Sequence, residues 1–293
     1  MSSHQLAAPG KLLRPSLCLW AALASGGEIG DAMPGALAVE WIHNFTLVHD
    51  DVQDGDRLRR HRPTVWAVWG EHQAINAGDA MCAQAFALLS GPGPHEERRL
   101  RCVSLLAGAV QRVVEGQCLD LAHEGNPELA TSAYLRMARL KTGALLGASL
   151  AIGAVLAGAG GTLAGALGRA GETLGLAFQV RDDWLGVWGD PAVTGKPAGD
   201  LARRKVTYPV VAAYAAASSS QRRELKRLFA RPDPGATMHL YELFTELGGP
   251  GLIEDVPLTL AQEALAPLRI SALEPGRLAE LEVLAAWLAR RTS

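Results

Sequence analysis

The sequence predicts an all-α protein, built as a single bundle of about ten helices over residues 1–293. Apolar residues recur at helical spacing in several stretches, as at Leu278, Leu281, Leu284 and Leu288. No alternation of apolar and polar residues reaches the length of a useful strand. The chain also has no Gly-x-Gly-x-x-Gly and no Walker-type loop, so dinucleotide-binding and ATP-binding folds have little support.

Composition narrows the class of protein further. A hydrophobic content of 48% with 20% charged residues is that of a globular chain with a large core. A net charge of −2 argues against a general nucleic-acid binder, because no basic surplus is present to meet phosphate backbones. The four cysteines are scattered, and residues 1–10 are neither basic nor continuously apolar as a secretory signal is. These features predict a cytoplasmic location.

One stretch raises the question of a membrane span. Residues 142–168 carry no charge, and a spanning helix needs roughly 20 mostly apolar residues. Glycines recur along this stretch, and Gly158-Ala159-Gly160-Gly161 divides it into pieces too short to span. We expect two internal helices that pack closely through small residues, without stable membrane insertion. A true transmembrane segment is the alternative.

An apolar helical run, Ala36–Val48, ends in a group of carboxylates that we call the first acidic cluster: Asp50, Asp51 and Asp54. Asp50 and Asp54 are four residues apart and share one face of a helix. Like charges at this spacing weaken a helix, so a cation between them explains the pattern best. Mg²⁺ prefers such oxygen ligands and usually joins a few carboxylates to substrate phosphates. A solvated, self-neutralising helix end is the alternative.

Basic residues surround this cluster in the sequence. Four arginines follow it: Arg57, Arg59, Arg60 and Arg62. Guanidinium groups are permanently charged, forked phosphate binders, so acid, metal and base together predict a diphosphate site. Earlier in the chain, Lys11 and Arg14 are three residues apart on one face of a helix that begins near Pro15, although surface cations of this kind are common.

A second acidic cluster, Asp182 and Asp183, lies about 130 residues after the first. Gln179 and Asp183 are four apart, so an amide and a carboxylate line one helix face. Taken alone, the pair also fits an ordinary exposed helix end. Taken together, the two clusters are predicted to face each other across a cavity in the bundle and to hold metal ions with a diphosphate. Departure of that diphosphate would leave a carbocation. The predicted chemistry is therefore the ionisation of an isoprenoid diphosphate.

These motifs resemble those of the trans-isoprenyl diphosphate synthase (polyprenyl synthetase) family, from Gly10 to about Pro209 by motif and onward by helical pattern. The matching segments are Gly10–Pro15, Asp50–Asp54 with Arg59-Arg60, Gly78-Asp79, Glu115-Gly116-Gln117, Lys141-Thr142, Phe178-Gln179 with Asp182-Asp183, Lys196 and Lys205. Each match alone is weak, whereas so many in order are a strong signal. The resemblance implies an isoprenoid-synthase-type bundle of helices around a central cavity. It also implies a magnesium-dependent homodimeric enzyme that condenses isopentenyl diphosphate with an allylic diphosphate of five to fifteen carbons.

The resemblance further implies a role for each matching residue. Isopentenyl diphosphate would be held by Lys11, Arg14, His43 and Arg60. Three Mg²⁺ ions per site would be held by Asp50, Asp51, Asp54, Asp182 and Asp183. The allylic diphosphate would be held by the catalytic group of Lys141, Gln179, Lys196 and Lys205, together with Arg59, and Thr142 would shape the site. The departing diphosphate itself takes the last proton in this family, so no side chain is assigned as the base.

Three departures from the family pattern stand out. Gly186 occupies the place of a third aspartate in the second cluster, and Asp190 is too far along to replace it. Relatives generally carry a helix before the lysine motif, and from its short form here we expect a truncated chain or one built from a late start site. Trp66 stands where the family often has histidine.

Product length is expected to depend on residues below the first acidic cluster. At ~1.5 Å per residue, Phe45 lies roughly 7–8 Å and Ile42 about 12 Å below Asp50, while the small Thr46 leaves room. We expect the Phe45 side chain to block the cavity partly at this level, as a partial floor for the growing chain. The predicted product is then the C20 compound geranylgeranyl diphosphate, with the C15 farnesyl diphosphate as the main competitor. A terpene cyclase and a non-catalytic partner subunit of an active synthase are the other candidate functions. Lys11, Arg14 and Arg60 argue against the cyclase, because a cyclase needs no second diphosphate site.

Overall fold

The computed structural model describes residues 1–6, 10–189, 199–231, 233–271 and 273–292. These residues form helices and one short β-hairpin, so the all-α prediction is confirmed. The chain separates into two compact units: a first unit of residues 1–110 and 145–168, and a second unit of residues 111–144 and 169–293. One domain over the whole chain therefore stays a prediction.

The first unit contains α1 (Ser2–Leu6), α2 (Leu13–Ala24), α3 (Ile29–Gln53), the hairpin β1 (Leu58–Arg59) and β2 (Arg62–Pro63), α4 (Val65–Trp69) and α5 (Glu71–Ser90). Three helices have residues in both units: α6 (Glu96–His123), α8 (Ala144–Leu156) and α9 (Gly161–Trp188). The second unit contains α7 (Thr131–Ala138), a π-helix (Arg139–Gly143), α10 (Gly199–Ala202), α11 (Tyr208–Ala216), α12 (Ser219–Phe229), α13 (Pro234–Glu246), two 3₁₀ turns (Gly249–Leu252 and Ala266–Leu268), α14 (Val256–Leu265) and α15 (Pro275–Arg290).

Small residues allow close helix packing in the first unit. A Cβ added to Gly153 of α8 would lie 1.9 Å from the Cys18 carbonyl oxygen of α2. A Cβ on Gly35 of α3 would lie 2.6 Å from Cγ2 of Ile152. Because a side chain at Gly153 would force α2 and α8 apart, this glycine of the charge-free stretch is required by packing.

The break expected in the charge-free stretch lies between α8, which ends at Leu156, and α9, which begins at Gly161. Two helices are present, as expected, and the second of them, α9, continues beyond the charge-free stretch to Trp188 and carries the second acidic cluster. By length and composition, the helical run Thr131–Leu156 is apolar enough to cross a membrane, and 83% of its apolar window is buried inside the protein. Core helices of proteins outside membranes have the same character, so the run is weak evidence for a span.

The second unit has a continuous apolar core that supports its polar residues. Tyr134 of α7, Leu201 of α10, Tyr208 of α11 and Phe244 of α13 are all buried in this core. The rings of Tyr134 and Tyr208 meet edge to face, with centroids 5.6 Å apart. This packing fixes the Tyr134 hydroxyl and the Tyr208 backbone N–H, which both donate to Asp183 of the second acidic cluster.

Candidate functional site

The first acidic cluster lies at the C-terminal end of α3. The backbone N–H of Asp54 donates to the Asp50 carbonyl oxygen at 2.8 Å, so the helical i,i+4 relation expected for these two residues is present. Asp51 is buried, and its Oδ1 accepts from Arg59 Nε and Nη2, both at 2.8 Å. Burial raises the pKa of Asp51 more than Arg59 lowers it. Its Oδ2 is buried and accepts no hydrogen bond from the described residues.

The donors of this cluster fit Mg²⁺. Among the described residues, no three His, Cys, Asp or Glu side chains converge closely enough to hold a metal by themselves. Mg²⁺ seldom uses such a cage, because it keeps several waters and is bound by one or two carboxylates with substrate phosphates. A buried carboxylate oxygen without a donor, as at Asp51, is costly unless a cation satisfies it.

The β-hairpin after α3 presents Arg60 from a strained turn. Arg59 pairs with Arg62 across the hairpin, so Arg60 and His61 form a two-residue loop. Their φ angles are 51° and 61°, in the left-handed region that such loops normally fill with Asn-Gly. Strained backbone of this kind concentrates at functional sites.

The Gly10–Pro15 motif meets this hairpin. A Cβ added to Gly10 would lie 2.4 Å from Nη2 of Arg60, so glycine leaves the space that the guanidinium fills. The expectation that Lys11 and Arg14 share a helix face is wrong. Leu12 has a φ of 49° and α2 begins at Leu13, so Lys11 precedes the helix and Arg14 lies in its first turn.

His43 of α3 lies among these cations. Burial first, and then Arg14, Arg60 and Arg59, hold the pKa of His43 well below its usual value. The ring is therefore neutral at neutral pH and can offer an N–H to an anion, but no charge. This neutrality could not be predicted from local sequence, since it arises from burial and from charges that are distant in the chain.

Two further polar residues of α3, Glu40 and Asn44, were missed by sequence reasoning. Asn44 Nδ2 donates to Glu40 Oε1 at 2.9 Å. Burial raises the pKa of Glu40, while Asn44, Arg14 and Arg60 lower it. A signal was available, because Glu40, His43 and Asn44 recur at i, i+3 and i+4 on one face of α3.

A polar cavity opens beside the hairpin. About 290 Å³ of empty space lies between its lining residues, and part of that space is open solvent. Its lining residues are His4, Gln5, Arg59, Arg60, Arg62, Pro63 and Thr64. Three guanidinium groups around one opening suit a diphosphate. Arg59 belongs both to this cavity and, through Asp51, to the first acidic cluster.

The residues expected to control product length differ in exposure. Ile42 is completely buried, whereas Phe45 and Thr46 are half-buried. The Phe45 ring meets the His49 ring edge to face at 4.8 Å, and Thr46 Oγ1 donates to the His43 carbonyl oxygen at 2.8 Å. The Phe45 side chain is thus partly exposed to solvent, whereas the Ile42 side chain is not.

Two further motif residues have structural explanations in the first unit. A Cβ on Gly78 would lie 2.2 Å from His49 Nε2, so glycine is needed for α5 to approach that ring. Trp66 Nε1 donates to the Asp56 carbonyl oxygen at 2.8 Å, and the Arg57 guanidinium lies 5.1 Å from the centre of the Trp66 ring. Trp66 therefore braces the loop after the first acidic cluster.

In the second unit, Lys141 and Thr142 lie on the π-helix, a distortion frequent at functional sites. Lys141 Nζ donates to Asp120 Oδ2 at 2.5 Å. A Cβ on Gly116 would lie 2.3 Å from the backbone nitrogen of Lys141, which explains the glycine of the Glu-Gly-Gln motif. Thr142 Oγ1 donates to Gln179 Oε1 at 2.7 Å.

Asp183 is buried and accepts hydrogen bonds from three protein donors. Its Oδ2 accepts from the Tyr134 hydroxyl and from the Tyr208 backbone N–H, the latter at 2.8 Å, and its Oδ1 accepts from Gln179 Nε2 at 2.9 Å. Burial raises the pKa of Asp183 to about 7. Three of the roughly four acceptor positions of this carboxylate are used, so it has little capacity left for a metal ion.

Asp182, by contrast, is half-buried and has one cationic partner from the end of the chain. Nη2 of Arg291 donates to Asp182 Oδ1, and the same guanidinium lies 4.0 Å from the centre of the Phe178 ring. The Arg291 carbonyl oxygen accepts from Arg181 Nε at 2.8 Å. Arg291 is 109 residues from Asp182, and nothing in the sequence pointed to this contact.

Other predicted residues of the second unit lie partly within and partly outside the described part of the chain. Lys205 N–H donates to the Asp200 carbonyl oxygen at 3.0 Å. Burial raises the pKa of the Asp200 carboxyl group, although the charge of Lys205 acts to lower it. Lys196 and Asp190 lie outside the described residues. Sequence reasoning missed Asp120, Tyr134 and Asp200, whose partners are brought together only by the fold.

The sequence of this chain is similar to those of known proteins. The family model described as polyprenyl synthetase matches residues 1–247. A geranylgeranyl diphosphate synthase of Mycobacterium tuberculosis is 50% identical over 224 residues, which is 76% of this chain and 63% of the relative. A (2E,6E)-farnesyl diphosphate synthase of Mycobacterium bovis is 47% identical over 216 residues, which is 73% of this chain and 59% of the relative. The chain thus spans about three fifths of the length of these curated relatives.

Solved structures show the same fold. The geranylgeranyl pyrophosphate synthase of Corynebacterium glutamicum, solved in complex with isoprenyl diphosphate and magnesium, superposes with a TM-score of 0.88 at 28% identity. The match covers 99% of this chain and 90% of that one. On the family match and these likenesses, the chain belongs to the polyprenyl synthetase family.

Proposed function

We propose that the protein is a magnesium-dependent prenyltransferase that condenses isopentenyl diphosphate with an allylic diphosphate to give an all-trans C20 product. The observation that carries this proposal is a basic cleft lined by three arginines next to the first acidic cluster, joined to it by the Arg59–Asp51 pair. The metal would bind the allylic diphosphate, and the arginines would bind the isopentenyl diphosphate. A cyclase, which ionises a single diphosphate, has no use for the second.

The first part of the mechanism is binding of the attacking substrate. Arg14 and Arg60 are assigned to the isopentenyl diphosphate with Lys11, and neutral His43 supplies an N–H donor. Arg60 is fixed by the hairpin turn and by the space left at Gly10. A cation held in place before substrate arrives loses little freedom on binding.

The second part is ionisation of the allylic diphosphate. Asp50, Asp51, Asp54 and Asp182 are assigned to Mg²⁺, which when bound neutralises charge on the departing diphosphate. Asp183 is reassigned from ligand to positioning residue, because it orients Gln179 and accepts from Tyr134.

The remaining diphosphate-binding groups are Lys141, Gln179, Lys205 and, from the family resemblance, Lys196. Asp120 holds Lys141, and Thr142 together with Asp183 fixes the amide of Gln179. A new carbon–carbon bond then joins the allylic C1 to the terminal carbon of the isopentenyl group, and the departed diphosphate takes the proton that is lost. Three Mg²⁺ ions per site, a homodimer and a cytoplasmic location complete the proposal by family resemblance.

The direct test is an incubation of purified protein with Mg²⁺, isopentenyl diphosphate and each of the C5, C10 and C15 allylic diphosphates. Products are identified by mass. C20 is expected from every accepted starter. C15 as the end product, the activity named for the Mycobacterium bovis relative, would keep the reaction and discard the predicted length. No elongation by folded protein would favour the partner-subunit function.

Phe45→Ala is expected to lengthen the product beyond C20. Removing the ring deletes an aromatic group roughly 7–8 Å below Asp50 on α3 and opens room for another isoprene unit. Chain length is read by mass with farnesyl diphosphate as the starter. Leu47→Ala is the matched control, since Leu47 is a half-buried apolar residue about 200° around the same helix. An unchanged C20 product in Phe45→Ala would rule out Phe45 as the floor.

A further inference from the structure

The Phe45 ring can limit product length only if it is held in one position. The ring is half-buried and packs against an apolar cluster whose buried members are Val48, Val65, Ala74, Ala77 and Met81. The His49 ring meets it edge to face, with centroids 4.8 Å apart and an angle of 71° between the planes. Because residues four apart are neighbours on a helix surface, His49 covers Phe45 from the next turn of α3, on the side of the first acidic cluster.

The His49 ring is itself fixed by α5. Its Nε2 lies 3.2 Å from the Ile75 carbonyl oxygen, and because a carbonyl oxygen only accepts, Nε2 is the donor. The same nitrogen lies 3.8 Å from Asp79 Oδ1. The His49 side chain is 24% exposed, so most of the ring is enclosed between Phe45 of its own helix and the backbone of α5.

Gly78 of α5 leaves the space that this ring fills. A Cβ added to Gly78 would lie 2.2 Å from His49 Nε2 and 2.4 Å from its Cδ2, so any side chain there would displace the ring. We infer that His49 determines product length by positioning the Phe45 ring, and that Gly78 allows α5 to hold His49 in place. The inference rests on the proposed function, because it explains what fixes the ring assigned there to limit the C20 chain.

These contacts act on the growing product through Phe45. A phenylalanine side chain turns about two bonds, so a half-buried ring can rotate aside when a longer isoprenoid tail presses on it. Edge-to-face ring pairs attract each other beyond the effect of their buried area. Rotation of Phe45 must therefore break its contact with a ring that α5 holds. His49 acts through another side chain and is a positioning residue.

His49→Ala is expected to raise the ratio of C25 to C20 product about two- to tenfold, the change in population that corresponds to loss of one edge-to-face ring pair. Products are read by mass with farnesyl diphosphate as the starter. In the Phe45→Ala background, adding His49→Ala is expected to change the ratio no further, because the ring that His49 holds is already gone. His72→Ala is the matched control, since His72 is an exposed histidine in the first turn of α5 and its loss should leave the ratio unchanged.

A second readout needs no turnover. It is the affinity for a C25 prenyl diphosphate relative to a C15 one, measured by isothermal titration calorimetry with Mg²⁺ on the full chain, and His49→Ala is expected to raise this ratio by the same factor. Gly78→Ala is expected to raise it as well, because the added methyl displaces the His49 ring. Melting curves confirm that each variant is folded.

A folded His49→Ala protein with wild-type ratios would overturn the inference. A further lengthening in the double variant would overturn it too, because His49 would then block the chain by itself rather than through Phe45. Failure of the proposed function gives a different result, namely no elongation by the wild-type protein. The affinity ratio would then still decide whether His49 limits the length of the bound chain.

Discussion

Gly116→Ala is expected to lower kcat about a hundredfold or more. The added methyl would lie 2.3 Å from the backbone nitrogen of Lys141 and 2.6 Å from its Cα. Neither atom belongs to a flexible side chain, so the π-helix itself must move. Lys141 and Thr142 would then lose their alignment with Asp120 and Gln179, and a misplacement of ~1 Å at a catalytic group costs on the order of 100-fold.

The measurement is the steady-state rate of elongation, with a melting curve of the same sample. Gly108→Ala is the matched control, because Gly108 lies in the same helix and an added methyl would meet nothing within 4 Å. This control is expected to keep full activity and to gain up to about 1 kcal/mol of stability from helix propensity. Wild-type activity in Gly116→Ala would show that the π-helix does not position catalytic groups.

Gly153→Ala is expected to reduce the free energy of unfolding by roughly 1–3 kcal/mol, the usual cost of overpacking a core. The added methyl would lie 1.9 Å from the Cys18 carbonyl oxygen and 2.8 Å from its carbonyl carbon. Both are backbone atoms of α2, so relief requires α2 and α8 to separate. This loss is expected despite the better helix propensity of alanine.

Urea denaturation monitored by circular dichroism measures this change. Gly30→Ala serves as its control, since Gly30 lies in α3 and its added methyl would meet nothing within 4 Å. A Gly153→Ala protein as stable as the wild type would mean that close packing does not explain the small residues of α8. The charge-free stretch would then need another explanation, such as the membrane span considered from the sequence.

Features that depend on neighbours in the sequence were predictable. The i,i+4 relation of Asp50 and Asp54 follows from helix geometry, and the break before Gly161 follows from its run of glycines. Residue spacing gave a wrong prediction where one residue has an unusual backbone conformation. The left-handed conformation of Leu12 separates Lys11 from α2, although the spacing to Arg14 suggested a shared face.

Features that depend on distant residues were not predictable. The π-helix at Arg139–Gly143 has no separate periodicity in the sequence, and the close approach of Gly116 to its backbone is visible only in the fold. The glycine at 186 looked like a lost ligand, and only the fold places Asp200 in the space it leaves. The role of Asp183 changed for the same reason, because its donors Tyr134 and Tyr208 come from two other helices.

The most direct test of the account is the metal dependence of C20 formation from farnesyl diphosphate and isopentenyl diphosphate. Rates are compared for the wild type in Mg²⁺, the wild type in excess EDTA, and Asp50→Asn in Mg²⁺. The account predicts C20 product in the first reaction and essentially none in the other two. Elongation in EDTA, or equal rates for Asp50→Asn and the wild type, would contradict it.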